Sequence, residues 1–409
     1  MSQSNTFAIP ALHTLPAAHR IRSDEEAIAV AKQLAETFAK EASARDRERR
    51  LPVAELDAYS QSGLWAITVP KAYGGAGVSY RTLGEVIKII SAADPSLGQL
   101  PQNHFVIIEH LILDASESQK QFFFELVLKG ARFGNAFSEK GSRTVVEFAT
   151  RITPHGEGFV VNGTKFFATG ALLAHWIPIV AATEEGLPYL ALAKQGTPGL
   201  TVINDWSSFG QRTTASGTVV IEAVQVPAEH VVPIYQAFAR PTIAGPSSQF
   251  IQAAVDAGIA AGTIAATLDY VKQSARPWID AKDIQHASDD PYTIQQIGDL
   301  ELRLHAAEAL LDRAAEALTL AAKEANETTV AAASIAVAEA KVLTTEIALL
   351  AGNKLFELSG TRSTLEELNL DRHWRNARTH TLHDPVRWKF HAIGNYYLNK
   401  VNPPRHPWL

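Results

Sequence analysis

Apolar positions follow three successive rhythms along the 409-residue chain. From about residue 20 to 130 the rhythm is helical. Ser23-x-x-Glu26 reads as a capping box, in which a side-chain oxygen satisfies a backbone N–H left free at a helix start. Behind it Ala27, Ala31, Leu34 and Phe38 fall on one helix face. The spacing predicts a second helix over 53–62, stopped by Gly63, because glycine readily adopts the left-handed backbone that follows a last helical turn. Further helices fit 81–93 and 104–114.

Between 131 and 240 apolar and polar residues alternate, and Gly and Pro punctuate them. Val160-Val161-Asn162-Gly163-Thr164-Lys165-Phe166 reads as a hairpin turning at Asn162-Gly163. Short strands fit 176–181, 189–193, 200–203 and 218–226, a pattern suited to a small antiparallel barrel or sandwich. Beyond the Pro-, Gly- and Ser-rich stretch 240–248 the helical period returns. Ile294, Ile297, Leu300, Leu304, Ala307, Leu311, Ala314 and Leu318 step by three or four; Ile335, Val342, Leu349 and Phe356 step by seven. The expected fold is mainly α with a small β domain: a helical domain over 1–130, a β domain over 131–240 and a helical bundle over 241–409.

Composition narrows the chemistry. The chain has no cysteine, and its one methionine is Met1. Disulfides, Cys-ligated zinc or iron–sulfur clusters and a cysteine nucleophile are excluded. A net charge of −6 without a basic stripe argues against nucleic acid. No apolar run approaches the roughly 18 residues of a membrane span, and residues 1–25 lack the apolar core of a signal peptide, so a cytoplasmic protein is expected. No glycine-rich phosphate loop follows a strand. His373, His380, His383 and His391 follow no metal-binding spacing, and no metal is expected.

Three motifs carry a resemblance. Phe137-Ser138-Glu139-Lys140-Gly141-Ser142, the segment from Gly158 to Thr169, and RHWRNARTHTLHD from Arg372 to Asp384 stand in the order found in the acyl-CoA dehydrogenases. The chain resembles that family over almost its whole length. The resemblance implies an N-terminal helical domain, a middle β-barrel and a C-terminal four-helix bundle. It departs at the last motif. Where the dehydrogenases carry Tyr-Glu-Gly-Thr, with Glu as the base, this chain has His383-Asp384-Pro385. That context is similar to the flavin-dependent monooxygenases related to dibenzothiophene monooxygenase and to sulfur-acquisition oxidoreductases. This branch implies reduced FMN supplied by a separate NAD(P)H-dependent flavin reductase, with FAD less favoured. It also implies O2 and a small organosulfur compound as substrates, and a homotetramer.

The resemblance also implies a site. Ser138 and Thr169 would place hydroxyls at the polar edge of the flavin; each reads equally as a turn or strand residue. Phe167, beside Ala168, would pack on the ring, or else fill the barrel core. Asn135 and Phe137 would share a strand face on the flavin's wall, with Asn135 a buried amide that needs a partner. His383 would handle the proton of the oxygen-transfer step, since imidazole titrates near neutrality. Gln99, Asn103, His104 and Asp384 would line the substrate pocket, with Asn103 alternatively a helix cap. His380 would lie near the cofactor. Arg276, with Trp278, would reach a neighbouring subunit's cofactor, and Arg362 with Ser363 would hold its phosphate. The alternatives are a dehydrogenase-like FAD oxidoreductase with Asp384 as base, and a non-catalytic helical scaffold. The missing sulfur fits a protein that handles activated oxygen, and equally one made when sulfur is scarce.

Overall fold

The computed structural model describes residues 16–141 and 143–409, so Ser142 and the start of the chain lie outside it. Helix α1 (Asp24–Glu48) begins at Ser23, whose side chain accepts the Glu26 N–H. The box is not reciprocal: the Glu26 carboxylate accepts the Arg22 N–H at 2.8 Å and faces His19. Helices α2 (Val53–Gln61), α3 (Tyr80–Ala93), α4 (Pro95–Gln99) and α5 (Gln102–Asp114) follow, and Gly63 takes the expected left-handed backbone. A further helix, α6 (Glu117–Leu128), has no counterpart among the expected elements. Its Phe122-Phe123-Phe124 run blurs the helical period, although Ser116 and Gln119 form a reciprocal capping box.

The middle region is one seven-stranded sheet. Its strands are β1 (Arg151–His155), β2 (Gly158–Lys165), β3 (Trp176–Ala182), β4 (Pro188–Lys194), β5 (Leu200–Ile203), β6 (Thr218–Pro227) and β7 (Val231–Val232), in the order β5-β6-β2-β1-β3-β4-β7. Pairing is antiparallel except where β1 meets β3 at Arg151–Ala182. Inward residues of β1, β2, β3, β4, β6 and β7, among them Ile152, Val161, Ile179, Ala191, Val224 and Val231, surround one apolar core.

The Asn162-Gly163 hairpin is not observed. The β1–β2 turn falls at Gly156-Glu157, and Asn162-Gly163 lies inside β2 at a bulge against β6. Asn162 Oδ1 accepts the N–H of Ala223, itself left-handed, at 2.7 Å. A Cβ at Gly163 would stand 2.3 Å from Thr150 Oγ1. The glycine therefore serves a close approach and a bulge, which use the same residue as a turn.

After α7 (Tyr235–Ala239), helix α8 (Ala244–Gln273) starts inside the Pro-, Gly- and Ser-rich stretch 240–248 rather than beyond it. Pro246 sits in its first turn, where a missing N–H costs no helical bond. Helices α9 (Pro291–Lys323) and α10 (Glu327–Ser359) pack on α8, and α11 (Asp371–His380) and α12 (Arg387–Asn399) pack on α10. By length and composition α8 could cross a membrane, yet 72% of its apolar stretch is buried inside the protein. It runs between the two helical regions, which share one core through residues such as Ile87, Ile90, Phe250, Ala254, Leu311 and Val337. The cavity described next opens at the N-terminal end of this helix.

Candidate active site

A cavity of about 340 Å3 lies where α5, the segment entering the sheet, the start of α8, the turn after α11 and the last residues of the chain meet. Gln102, Asn103 and Val106 come from α5, and Asn135, Phe137 and Ser138 from the segment before β1. Ser248 of α8, His383, and His406 with Trp408 close it. The lining is mostly apolar with a few polar groups, the usual character of a small-molecule site.

Two amide oxygens in this wall lack partners among the described residues. Asn135 Nδ2 donates to the Phe167 carbonyl at 3.2 Å, leaving its buried Oδ1 free. Gln102 Nε2 donates to Ser248 Oγ at 3.1 Å, leaving Oε1 free. Buried polar atoms without partners are uncommon, and here each leaves unused acceptor capacity in a residue of the cavity wall.

The wall holding Ser138 is anchored by two of the motif residues. Lys165 Nζ donates to Glu139 Oε1 at 2.6 Å and to the Phe137 carbonyl at 3.0 Å. Glu139 also accepts the N–H groups of Ala149 and Thr150. The Ser-Glu motif and the β2 motif therefore meet through one buried ion pair.

His383 lines the cavity, and its Nδ1 lies 3.2 Å from Asp384 Oδ1. A carboxylate only accepts, so Nδ1 carries the proton and Nε2 is the atom left to exchange one. Asp384 itself is buried behind His383, with Lys389 Nζ at 3.2 Å. Burial alone would raise its pKa. The hydrogen bond from His383 and the charges of Lys341 and Lys389 outweigh burial and hold it well below the usual carboxylate range. A carboxylate so stabilised is a poor general base.

Other expected site residues stand elsewhere. His104 does not reach the cavity. It is fully buried, with Nε2 2.6 Å from the Trp65 carbonyl and Nδ1 accepting the Phe133 N–H at 3.1 Å. Burial pushes its pKa down to about 3, so it is a neutral core histidine. Gln99 and His380 also lie behind the wall: His380 Nε2 is 2.8 Å from Gln99 Oε1, and Nδ1 is 2.5 Å from Asp256. Asp256 pairs with Lys341 at 2.6 Å, forming a buried polar relay between α8, α10 and α11. Asn103 lines the cavity and caps nothing.

Thr169 Oγ1 bonds Ser216 Oγ at 2.8 Å, and Ala168 is fully buried; neither lines the cavity. Phe167 is not a barrel-core residue. It is 51% exposed on left-handed backbone, with its ring near Phe166 and Trp206. A bulky residue rarely holds that backbone without a structural or functional reason. Arg276 and Trp278 are exposed in the loop between α8 and α9. Arg362 is exposed after α10, beside buried Ser363, whose Oγ donates to the Gly360 carbonyl. Within one chain none of these four approaches the cavity.

Val106, Ser248, and the 405–408 segment were not expected at the site. Only Gln102, next to a nominated residue, had a sequence signal. Among the described residues no three His, Asp or Glu side chains gather as a metal site.

The fold and this site define a class: a sheet set between two helical regions with one shared core, and a cavity at their junction. The profile for the N-terminal domain of acyl-CoA dehydrogenase matches residues 23–131, and that for its C-terminal domain matches 250–388. The chain is 34% identical over 401 residues to a dibenzothiophene monooxygenase of Rhodococcus erythropolis, covering 94% of this chain and 96% of that one. It is also 34% identical over 391 residues to the probable FMNH2-dependent monooxygenase SfnC of Pseudomonas putida, covering 92% and 96%. FMN-bound TdsC from Paenibacillus sp. A11-2 superposes with a TM-score of 0.90 at 32% identity, over 94% of this chain and all of that one. The chain belongs to the acyl-CoA dehydrogenase family and, within it, to the flavin-dependent monooxygenases.

Proposed function

We propose that this protein is the oxygenase of a two-component system that uses reduced FMN and O2 to oxygenate a small organosulfur compound in sulfur acquisition. The observation that carries this reading is the cavity itself: a mainly apolar chamber lined together by His383, backed by ionised Asp384, by Ser138 and by Asn135, whose buried Oδ1 has no partner among the described residues. These residues fit a flavin. Asn135 Oδ1 would accept from a ring N–H, and Ser138 can donate or accept at the ring's polar edge. Bound reduced FMN would supply the two electrons that reduce O2.

In the balanced reaction one oxygen atom ends on sulfur and the other leaves as water. The sulfur lone pair is the nucleophile, so no protein nucleophile is needed. His383 holds the proton that leaves with the second oxygen, returning through Nε2 while Asp384 keeps Nδ1 protonated. The apolar wall of Val106, Phe137 and Val180 keeps water out. The dehydrogenase alternative, with Asp384 as base, is disfavoured because that carboxylate is already committed to His383 and Lys389.

The reduced flavin comes from a separate NAD(P)H-dependent reductase, which sets the reaction in the cytoplasm. The functional unit is a homotetramer. Support comes from exposed apolar side chains on the α8–α9 loop and α12: Trp278 (74%), Ile279 (79%) and Leu398 (81%). In that assembly Arg276 and Trp278 reach the flavin of a neighbour, and Arg362 with Ser363 lies at a phosphate. The three domains run to 130, from 131 to 240 and from 241 onward.

The test is turnover with chemically reduced FMN, a set of aryl and alkyl sulfides, and 18O2. One 18O atom in the sulfoxide supports the reading. Discharge of all the oxygen as hydrogen peroxide with every sulfide would reject it. Failure to bind any flavin would instead favour a scaffold.

A further inference from the structure

Lys389 has an unusual setting for a lysine. It lies on α12 between Trp388 and Phe390 and is only 1% exposed. Its ammonium group donates two hydrogen bonds and makes one ion pair, and the three partners come from three segments. The hydrogen bonds go to Gln249 Oε1 of α8 at 3.0 Å and to the Trp408 carbonyl, and the ion pair is with Asp384 Oδ2 at 3.2 Å. Gln249 extends the arrangement, because its Nε2 donates to the Pro407 carbonyl at 3.2 Å.

Two of the tethered segments are walls of the cavity. Asp384 orients His383, and His406, Pro407 and Trp408 line the chamber with it. Burying a lysine is expensive, and an ion pair inside a protein adds little net stability over an apolar packing. Three diverging donors suit a lysine better than the planar fork of an arginine.

We propose that Lys389 is a positioning residue for oxygen transfer: it clamps the His383-Asp384 turn and the 405–409 segment into one arrangement, so that proton handling and closure of the cavity are set together. This rests on the role given to His383 above. The charged groups around the clamp come from several elements. Asp384 is faced by His383 from its own turn, Lys389 from α12 and Lys341 from α10. Lys341 is itself paired with Asp256 of α8, which also bonds His380. His406 stands near Lys389 from the last segment.

The experiment compares FMN-loaded wild type with Lys389→Met by hydrogen–deuterium exchange and by coupled turnover. Exchange over residues 401–409 should accelerate at least about tenfold, with the α8–α10 core unchanged. The share of oxygen released as hydrogen peroxide should rise at least about threefold, with KM for a sulfide changing less than kcat. Unchanged exchange and unchanged coupling would overturn the proposal. Should Lys389→Met fail to fold, the Asp384→Asn/Lys389→Met double variant leaves no lone buried charge at the clamp. In that protein, exchange over 401–409 as slow as in wild type overturns the clamp, and faster exchange supports it. If wild type oxygenates no sulfide at all, the functional reading fails, while the exchange data still decide whether Lys389 holds these segments.

Discussion

Lys165 Nζ lies 2.6 Å from Glu139 Oε1, with both side chains withdrawn from solvent. This pair joins β2 to the segment that carries Phe137 and Ser138 into the cavity. Removing one partner strands a buried charge, and such losses run to about 3–5 kcal/mol. Lys165→Met should therefore lower unfolding free energy by about 3 kcal/mol in urea titrations. Glu139→Gln/Lys165→Met should cost less than the sum of the single variants. Additive losses would mean that the two residues act independently.

His104 makes stability depend on mild acid. Its pKa is pushed down by burial from 6.5 to about 3 in the folded protein. The unfolded chain binds a proton that the folded chain refuses, so stability falls as pH drops below 6.5. The full contribution of one such histidine is about 1.4 kcal/mol per pH unit. His104→Asn should lower stability at pH 7, because the ring holds two backbone groups, but flatten the slope between about pH 6 and 5. Denaturant titrations at both pH values check this; a slope equal to wild type would count against it.

His383→Phe should fold normally and bind FMN within about threefold of wild type, because the histidine is not needed to hold the ring. Sulfoxide formation should drop at least about tenfold while hydrogen peroxide release persists. Product and peroxide assayed in one reaction mixture separate these effects. Undiminished coupling would remove His383 from the proton step.

Gly245 tests the last segment in a different way from Lys389. A Cβ there would meet the His406 carbonyl oxygen at 2.4 Å and that of Leu409 at 2.7 Å. Gly245→Ala should push residues 405–409 away from α8 at a cost of about 1–3 kcal/mol. The cavity wall formed by His406 and Trp408 should loosen with it. Weaker binding of a small sulfide, read by calorimetry, is the expected result; unchanged affinity would mean that this segment is no functional wall.

Regular elements were largely legible because periodicity reports them directly. Of the series that steps along α9, Leu300, Leu304, Ala307, Leu311, Ala314 and Leu318 are buried, whereas Ile297 is half-buried and Ile294 is exposed in the first turns. The strands over 176–182, 188–194 and 200–203 stand where alternation and turn residues put them. Misreadings came where one residue type serves two geometries. Asn162-Gly163 fits a turn and a bulge equally well, and only the pairing of β2 with β6 decides between them. The Phe122-Phe123-Phe124 run hid α6 because three adjacent rings carry no period.

For the site, the region order, the family resemblance and several wall residues, notably Asn135, Phe137, Ser138 and His383, were legible from residue order alone. These sit in short motifs whose chemistry is local. Which neighbouring polar residues line the cavity was settled by packing between distant segments. His104 and Gln99 lie near Asn103 in the chain, yet both point into the core and bond distant groups. Lys389 gained its role from Gln249 and Trp408, which are remote in sequence. A helix period states which face is apolar, but not what covers it. The direction of a buried donor is settled by whichever acceptor the packed chain brings within reach.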